Sequence, residues 1–415
     1  MKKRITLKGL KQSFQRVLPQ EDARTQISPL NFVTGLVFCF LSDTKSFGLE
    51  AMRRFLMSRF EVSISKGAFW ERLSGQRLKT MLHEVLAELM TRLSYQAIPD
   101  PGMLRRLKVK GIYLLDSSTL SLWQEARHAY PGAWTAAAIK WHACFERLSG
   151  QRRWFERTPG TTHDRQCFPP LKSLAGQLIL FDLGYWDDGL LLSIDAAKGF
   201  FLSRIKSNST IRIQQVLYGL SEVWVGRKLS ELKPKRKKKD LIEAFGKVAH
   251  GNQTQIFRIV GFWNPTEKKY HWYITHLVVS ASLLSSLYRL RWTLELMFKA
   301  SKRSFNLDKR LTSNNAHIIE SLGLSSIVAR FASGGVLQLG SKYLSSPQAL
   351  AISFQRVAQV VVQWAIEFIN YITRPGEIYA KKLADKIALF APEMFEKNYR
   401  HRPTSLSRLQ AQLAS

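Results

Sequence analysis

Apolar residues recur at spacings of three and four from the start of the chain to about Arg106, most clearly over Phe47 to Phe60 and Met81 to Leu93. That period predicts a helical N-terminal region. A proline and glycine break, Pro99 to Gly102, ends it. The texture then changes to short apolar runs that predict buried strands at Ile112 to Leu115, Ile139 to Phe145 and Leu178 to Phe181. Asp187 to Lys198 has helical spacing, and Phe200 to Ile205 reads as a further strand. Residues 206–270 are aromatic, basic and strand-like, notably at Val223 to Val225 and Ile256 to Phe262. A strand around Tyr273 leads into one long predicted helix from about Ala281 to Phe305, and the chain beyond Asn314 is again helical. The succession predicts a mixed α/β core between helical flanks.

Charge narrows the choice of partner. Among 415 residues, 62 Lys and Arg stand against 31 Asp and Glu, a formal charge of +31. Such a field attracts phosphate backbones and releases their condensed counter-ions, which makes nucleic acid the leading partner. An anionic membrane surface and a merely soluble basic protein share this signature. Phe32 to Leu41 is too short an apolar run to span a bilayer, and three cysteines suit a reducing compartment, so a soluble cytoplasmic protein is expected. Ser65 is placed to cap a helix through Phe69, Trp70 and Leu73, after a helix bearing Arg53, Arg54 and Arg59. This has the outline of a loose helix-turn-helix, and an ordinary helical hairpin explains it equally well. The run Lys233 to Lys239 suits either a DNA-contacting loop or a solvated linker.

Candidate chemistry lies at the ends of apolar runs. Asp116 follows Tyr-Leu-Leu and Asp182 follows Leu-Ile-Leu-Phe, which puts both carboxylates at or near strand ends. Neighbouring carboxylates repel unless a cation neutralises them, and oxygen-only ligands suit Mg2+ or Mn2+. Taken singly, an Asp after a strand is more often a turn or helix cap. The predicted helix carries Tyr288, Arg291, Glu295 and Lys302 as Tyr-x2-Arg-x3-Glu-x6-Lys. On a continuous helix these residues, with Lys299, fall within an arc of roughly 80°, a carboxylate among cations. A solvated charged face is the alternative. His142, Cys144, His163 and Cys167 lack the paired spacing of a zinc site.

This Tyr-Arg-Glu-Lys set, with the Asp-x-Gly-Tyr run Asp182 to Tyr185, resembles the insertion sequence 4 family of bacterial DDE transposases. The resemblance runs from about 107 to 305 and takes in Gly160 to Asp164 and the Ile-Thr-His strand before the helix; Leu183 and His276 depart from the usual Arg and Asn. It implies an RNase H-like catalytic core interrupted by a β-rich insertion. Asp116, Asp182 and Glu295 would hold two Mg2+ ions, with Mn2+ as substitute, and Tyr288, Arg291 and Lys302, with Lys299 in addition, would hold DNA phosphates. Trp292 would stack on a flipped base, although core packing is the commoner role for such a residue. The expected layout is an N-terminal DNA-end-binding region (1–105), the core in two parts (106–205 and 271–310), the insertion (206–270) and a C-terminal helical region (311–415). The implied function is cleavage at transposon ends and strand transfer. Double-stranded DNA, both terminal inverted repeats and target, would be the partner, and synapsis would require at least a homodimer, with 347–371 a candidate contact. A DNA-binding regulator without catalysis and a metal-dependent nuclease are the alternatives.

Overall fold

The computed structural model describes residues 7–21, 26–41, 48–92, 101–146, 152–232, 240–304, 313–345, 348, 352–395 and 409. Pro99 and Asp100, all of Lys233 to Lys239, and part of 347–371 lie outside the described residues.

A single nine-stranded sheet organises the centre. Its strands are β1 (Gly111–Ser121), β2 (Ala138–Glu146), β3 (Arg152–Pro159), β4 (Gln177–Phe181), β5 (Phe200–Arg204), β6 (Arg212–Tyr218), β7 (Leu241–His250), β8 (Gln253–Asn264) and β9 (Lys269–Thr275). They lie in the order β3-β2-β1-β4-β5-β9-β8-β7-β6. β1 to β3 form an antiparallel meander, β4 and β5 run parallel to β1, and β9 returns antiparallel beside β5. Residues 111–115 and 178–181 are apolar and buried on both faces, as interior parallel strands require. Strands β6 to β8, all within 206–270, continue the same sheet outward through β9.

Two strand expectations need correction. β1 does not stop at Leu115: its polar continuation through Ser121 stays paired with β2, so Asp116 stands within the strand. Val223 to Val225 is not a strand. Glu222–Trp224 forms a 3-10 turn after the chain leaves β6 at Gly219, whose φ of +82° and close approach to the Leu241 carbonyl exclude a side chain.

The helices up to the first strand are α1 (Leu7–Gln15), α2 (Pro29–Cys39), α3 (Leu49–Phe60), α4 (Lys66–Ser74), α5 (Gln76–Arg92) and α6 (Pro101–Leu107). Later come α7 (Asp188–Ala196), α8 (Ala281–Arg289), α9 (Trp292–Ser304), α10 (Ala316–Gly340), α11 (Phe354–Val361), α12 (Ala365–Thr373) and α13 (Glu377–Phe390). All of α2 except Asn31 is buried. A helix apolar all round needs neighbours all round, and the N-terminal helices alone do not supply them. α12 closes one side, with Phe38 and Phe368 stacked at 4.9 Å, and α10 packs on α2, α4 and α5. The two helical flanks therefore form one layer on one sheet face. α10 is long and apolar enough to cross a membrane by composition, and that stretch is wholly buried inside the protein.

α10 meets the sheet at Gly323, where a Cβ would fall 2.3 Å from the Trp141 ring, and at Phe331, which stacks on Phe145 at 5.8 Å. Glu320 ties the parts together: Arg157 on β3 lies 3.0 Å from its Oε1, the Tyr130 hydroxyl donates to it at 3.1 Å, and Lys79 on α5 reaches Oε2 at 3.3 Å.

The packing also redefines two proposed surfaces. Ser65 does cap α4, accepting from the Ala68 amide at 3.2 Å, yet Arg53 is spent on Glu50 and the Ile64 carbonyl and Arg59 on Asn370. Of the three arginines only Arg54 is exposed. In the candidate dimer segment, α12 turns Phe368, Ile369, Tyr371 and Ile372 inward, so its main apolar face is used within the chain.

Candidate active site

The β1 and β4 registers bring the first two carboxylates to one level. The parallel pairing ends at Leu114 opposite Leu180, and Asp116 and Asp182 each lie two residues further along. Beyond that point β1 continues with β2 while β4 ends, and the cleft between the separating chains receives both side chains. Neither aspartate serves as an ordinary cap. Asp116 sits mid-strand opposite Ala143, and Asp182 opens the Leu183–Tyr185 turn without bonding any turn amide through its side chain.

The third carboxylate arrives on a broken helix. The single helix expected over Ala281 to Phe305 ends at Arg289 and restarts at Trp292. At the break the amides of Leu290 and Arg291 bond back three residues, to Leu287 and Tyr288. That tighter turn swings Arg291 into the cleft. Its guanidinium Nη1 lies 3.3 Å from Asp116 Oδ1, and Nη2 lies 3.9 Å from Asp182 Oδ2 and 3.8 Å from Glu295 Oε2. Tyr288, on the other side of the break, donates its hydroxyl to Asp182 Oδ1 at 3.1 Å and lies beneath the guanidinium, 5.6 Å from ring centre to Cζ. Leu290 and Leu294 are buried and anchor the turn in the core. The structure thus gathers Asp116 from within β1, Asp182 from just past β4, Tyr288 from α8, Glu295 from α9 and Arg291 from the break between those helices.

Burial dominates the electrostatics. It pushes the Asp116 carboxyl up to about 7 against the pull of Arg291, with the Asp182 and Glu295 charges adding to the rise. Burial and then the charge of Asp182 also raise the Tyr288 phenol, which stays a neutral donor. Burial disfavours the charge on Arg291, but Tyr288, Asp182 and Asp116 outweigh it and hold the guanidinium ionised.

The other predicted residues surround this centre. Lys302 donates to the Thr119 carbonyl of β1 at 2.7 Å, which fixes α9 along the strand, and Lys299 is exposed. Trp292 is 52% exposed, which argues against the core-packing role. His276 takes a structural part: its Nε2 pairs with Asp195 of α7 at 2.9 Å, between Phe200, Phe201 and Phe257. Cys144 and Cys167 are both buried.

A polar rung behind the carboxylates carries roles that residue spacing did not assign. His142 is fully buried on β2; its Nδ1 hydrogen-bonds the Tyr185 hydroxyl at 3.1 Å and its Nε2 the Thr158 hydroxyl at 3.0 Å. Ser117, next to Asp116, also hydrogen-bonds Tyr185. The rung therefore links β3, β2 and β1 to the turn that begins at Asp182. Burial lowers His142 to about 4, so it is neutral at physiological pH. Asp164 closes the end of the rung, 3.2 Å from Lys140 and packed so tightly on Gly184 that a Cβ there would lie 2.5 Å from its Oδ2. The Asp-x-Gly-Tyr spacing and the Gly160 to Asp164 loop were the available signals, but nothing in them pointed to His142. Tyr185→Phe keeps the ring and removes these bonds; it should cost about 1–2 kcal/mol in denaturant unfolding, and an unchanged midpoint would show the rung to be inert.

The donor chemistry fits a hard divalent cation: three carboxylates, no nitrogen or sulfur ligand, on rigid supports. Their point of convergence is taken by the Arg291 guanidinium. Among the described residues no three such side chains stand close enough to enclose one ion as they lie.

Comparison with known proteins gives the family. No curated protein matches the chain. Among solved structures, a cryo-electron microscopy synaptic complex of piggyBac transposase with hairpin DNA aligns over 92% of this chain and 82% of that one, at 10% identity and a TM-score of 0.42. A likeness at that level carries no argument about function. The family described as the transposase DDE domain matches residues 108–329, from just before β1 to the middle of α10. That is more than half of the sequence, it contains every residue gathered in the cleft, and on it rests the conclusion that the chain belongs to the transposase DDE domain family.

Proposed function

We propose that this protein is a cut-and-paste transposase of the insertion sequence 4 type, which cleaves DNA at transposon ends and joins the freed ends to target DNA. The observation that carries the reading is the convergence of Asp116, Asp182 and Glu295, from segments far apart in sequence, on one buried guanidinium within the family's matched span. The strand order β3-β2-β1-β4-β5, with the first three antiparallel and the last two parallel, supports an RNase H-like core, and β6 to β8 a β-rich insertion between the second and third carboxylates.

Asp116, Asp182 and Glu295 would hold Mg2+, with Mn2+ as a substitute. Two such ions would supply an activated water or 3′-hydroxyl and a neutralised leaving oxygen for in-line displacement at phosphorus. The chain's own groups do the rest. Arg291, Lys299 and Lys302 offer charged donors to phosphate oxygens, and Tyr288 keeps Asp182 oriented through its hydroxyl. The charge of +31 favours double-stranded DNA, both terminal repeats and target, and two ends cut in concert require at least a homodimer. A reducing bacterial cytoplasm is the proposed location.

Mixing the protein with Mg2+, end-bearing DNA and a target plasmid distinguishes the readings. Joined products support transposition. Cleavage without joining favours a nuclease, and binding without cleavage favours a regulator. Trp292 presents an exposed indole next to the cleft, suited to stacking on an unpaired base. Trp292→Ala should slow hairpin opening or formation more than nicking of the same end; equal rates for both steps would remove Trp292 from the mechanism.

A further inference from the structure

Arg291 is held unlike Arg258, another arginine paired with a carboxylate. Arg258 donates to Glu243 at 2.7 Å and to the Leu277 carbonyl at 3.1 Å, close contacts that fix it in place. Among the carboxylates Arg291 instead makes one hydrogen bond of 3.3 Å to Asp116 and two more distant contacts, 3.9 Å to Asp182 and 3.8 Å to Glu295; Tyr288 is a further hydrogen-bond partner, and the buried Arg291 Nε has none. It serves all three carboxylates by charge and none by a close fork. Its backbone lies in the break between α8 and α9, outside the regular helix ladder, so a new position of the side chain leaves both helices whole. Lys302, by contrast, donates to the Thr119 carbonyl at 2.7 Å, and Lys299 is exposed.

We propose that Arg291 is the resident counter-ion of the three carboxylates, occupying the place of a divalent cation until one binds, and that cation binding expels its guanidinium and frees it to grip a DNA phosphate. The inference rests on the metal reading given under Proposed function. A guanidinium and a divalent cation cannot share one point among the same oxygens, so the two occupancies exclude each other. Strand grip by Arg291 then follows loading of the carboxylates. This order guards against a bare site that holds DNA without the means to cut it.

Mn2+ titration of the full chain without DNA, read by calorimetry, tests the exchange. Arg291→Gln should bind Mn2+ about 10-fold more tightly than the unaltered chain, within the usual range of coupling between competing ligands. Lys302→Gln removes one positive charge at the rim and should change affinity less than about 3-fold. Arg291→Lys keeps the charge but cannot span three carboxylates, so it should gain a few-fold; it also serves as the second variant if the glutamine chain does not fold. Affinity in the Arg291 variants equal to or weaker than in the unaltered chain overturns the proposal, as does an equal gain in Lys302→Gln. Absence of Mn2+ binding in every chain overturns the proposal together with the metal reading beneath it.

Discussion

Asp116→Asn is expected to abolish DNA cleavage and joining, by about 10^3-fold or more, while making the cation-free protein more stable. The first effect follows from removing one of three converging carboxylates. The second follows from burial. In the folded chain Asp116 keeps its proton up to about 7, whereas its ordinary value is 3.8. Between those values the folded state binds more protons than the unfolded one, so this group's contribution to stability falls as pH rises. At pH 8 the buried carboxyl costs on the order of several kcal/mol because it must ionise, and at pH 5, where the folded chain keeps the proton, it costs less. Asparagine has no such cost. Denaturant unfolding in EDTA should therefore show the variant more stable, by a margin that widens by about 2–3 kcal/mol from pH 5 to pH 8. His142, lowered to about 4, contributes stability that rises with pH up to about 6.5; both chains share it, so it cancels from the difference. A margin that stays constant with pH would refute the burial argument.

The largest effect on folding is expected at Gly323. A Cβ there would stand 2.3 Å from two ring atoms of Trp141, itself buried in β2. Gly323→Ala gains about 1 kcal/mol of helix propensity but must displace the indole, for a net loss of about 1–2 kcal/mol. Gly323→Leu cannot be accommodated without separating α10 from the sheet. It should lose about 4 kcal/mol or more, a large part of the stability a domain usually has. Unfolding midpoints and soluble yield measure both variants. A leucine variant as stable as the original would mean that α10 does not bear on the sheet at this point.

The catalytic half of the chain was legible because its signals are local. Buried β1 and β4 read as apolar runs that each end on an aspartate, and Asp187, which caps α7 through the Leu190 amide, marked that helix. The break at Leu290 and Arg291 was not legible. Nothing in the run from Leu284 to Leu294 forbids a continuous helix, and the turn is favoured by carboxylates more than 100 residues away in sequence. The same reason hid the roles of Arg53 and Arg59, whose partners, the Ile64 carbonyl and Asn370, belong to the folded arrangement. Val223 and Val225 suggested a strand by composition, but the preceding Gly219 turn had already taken the chain off the sheet. The union of the two helical flanks is a tertiary fact. Periodicity reports that a helix has an apolar face, not which distant helix covers it.

That union has a consequence for the living ribosome. α2 and α5 leave the exit tunnel more than 200 residues before α10 and α12, which complete their burial. At about 5–20 residues per second, the N-terminal helices spend at least about ten seconds as an open apolar surface while the sheet is being made. Synthesis thus keeps the helical layer unfinished until the carboxylates and Arg291 already exist, and a chain cut short before α10 would leave the sides of α2 that α10 and α12 cover open to chaperones and proteases.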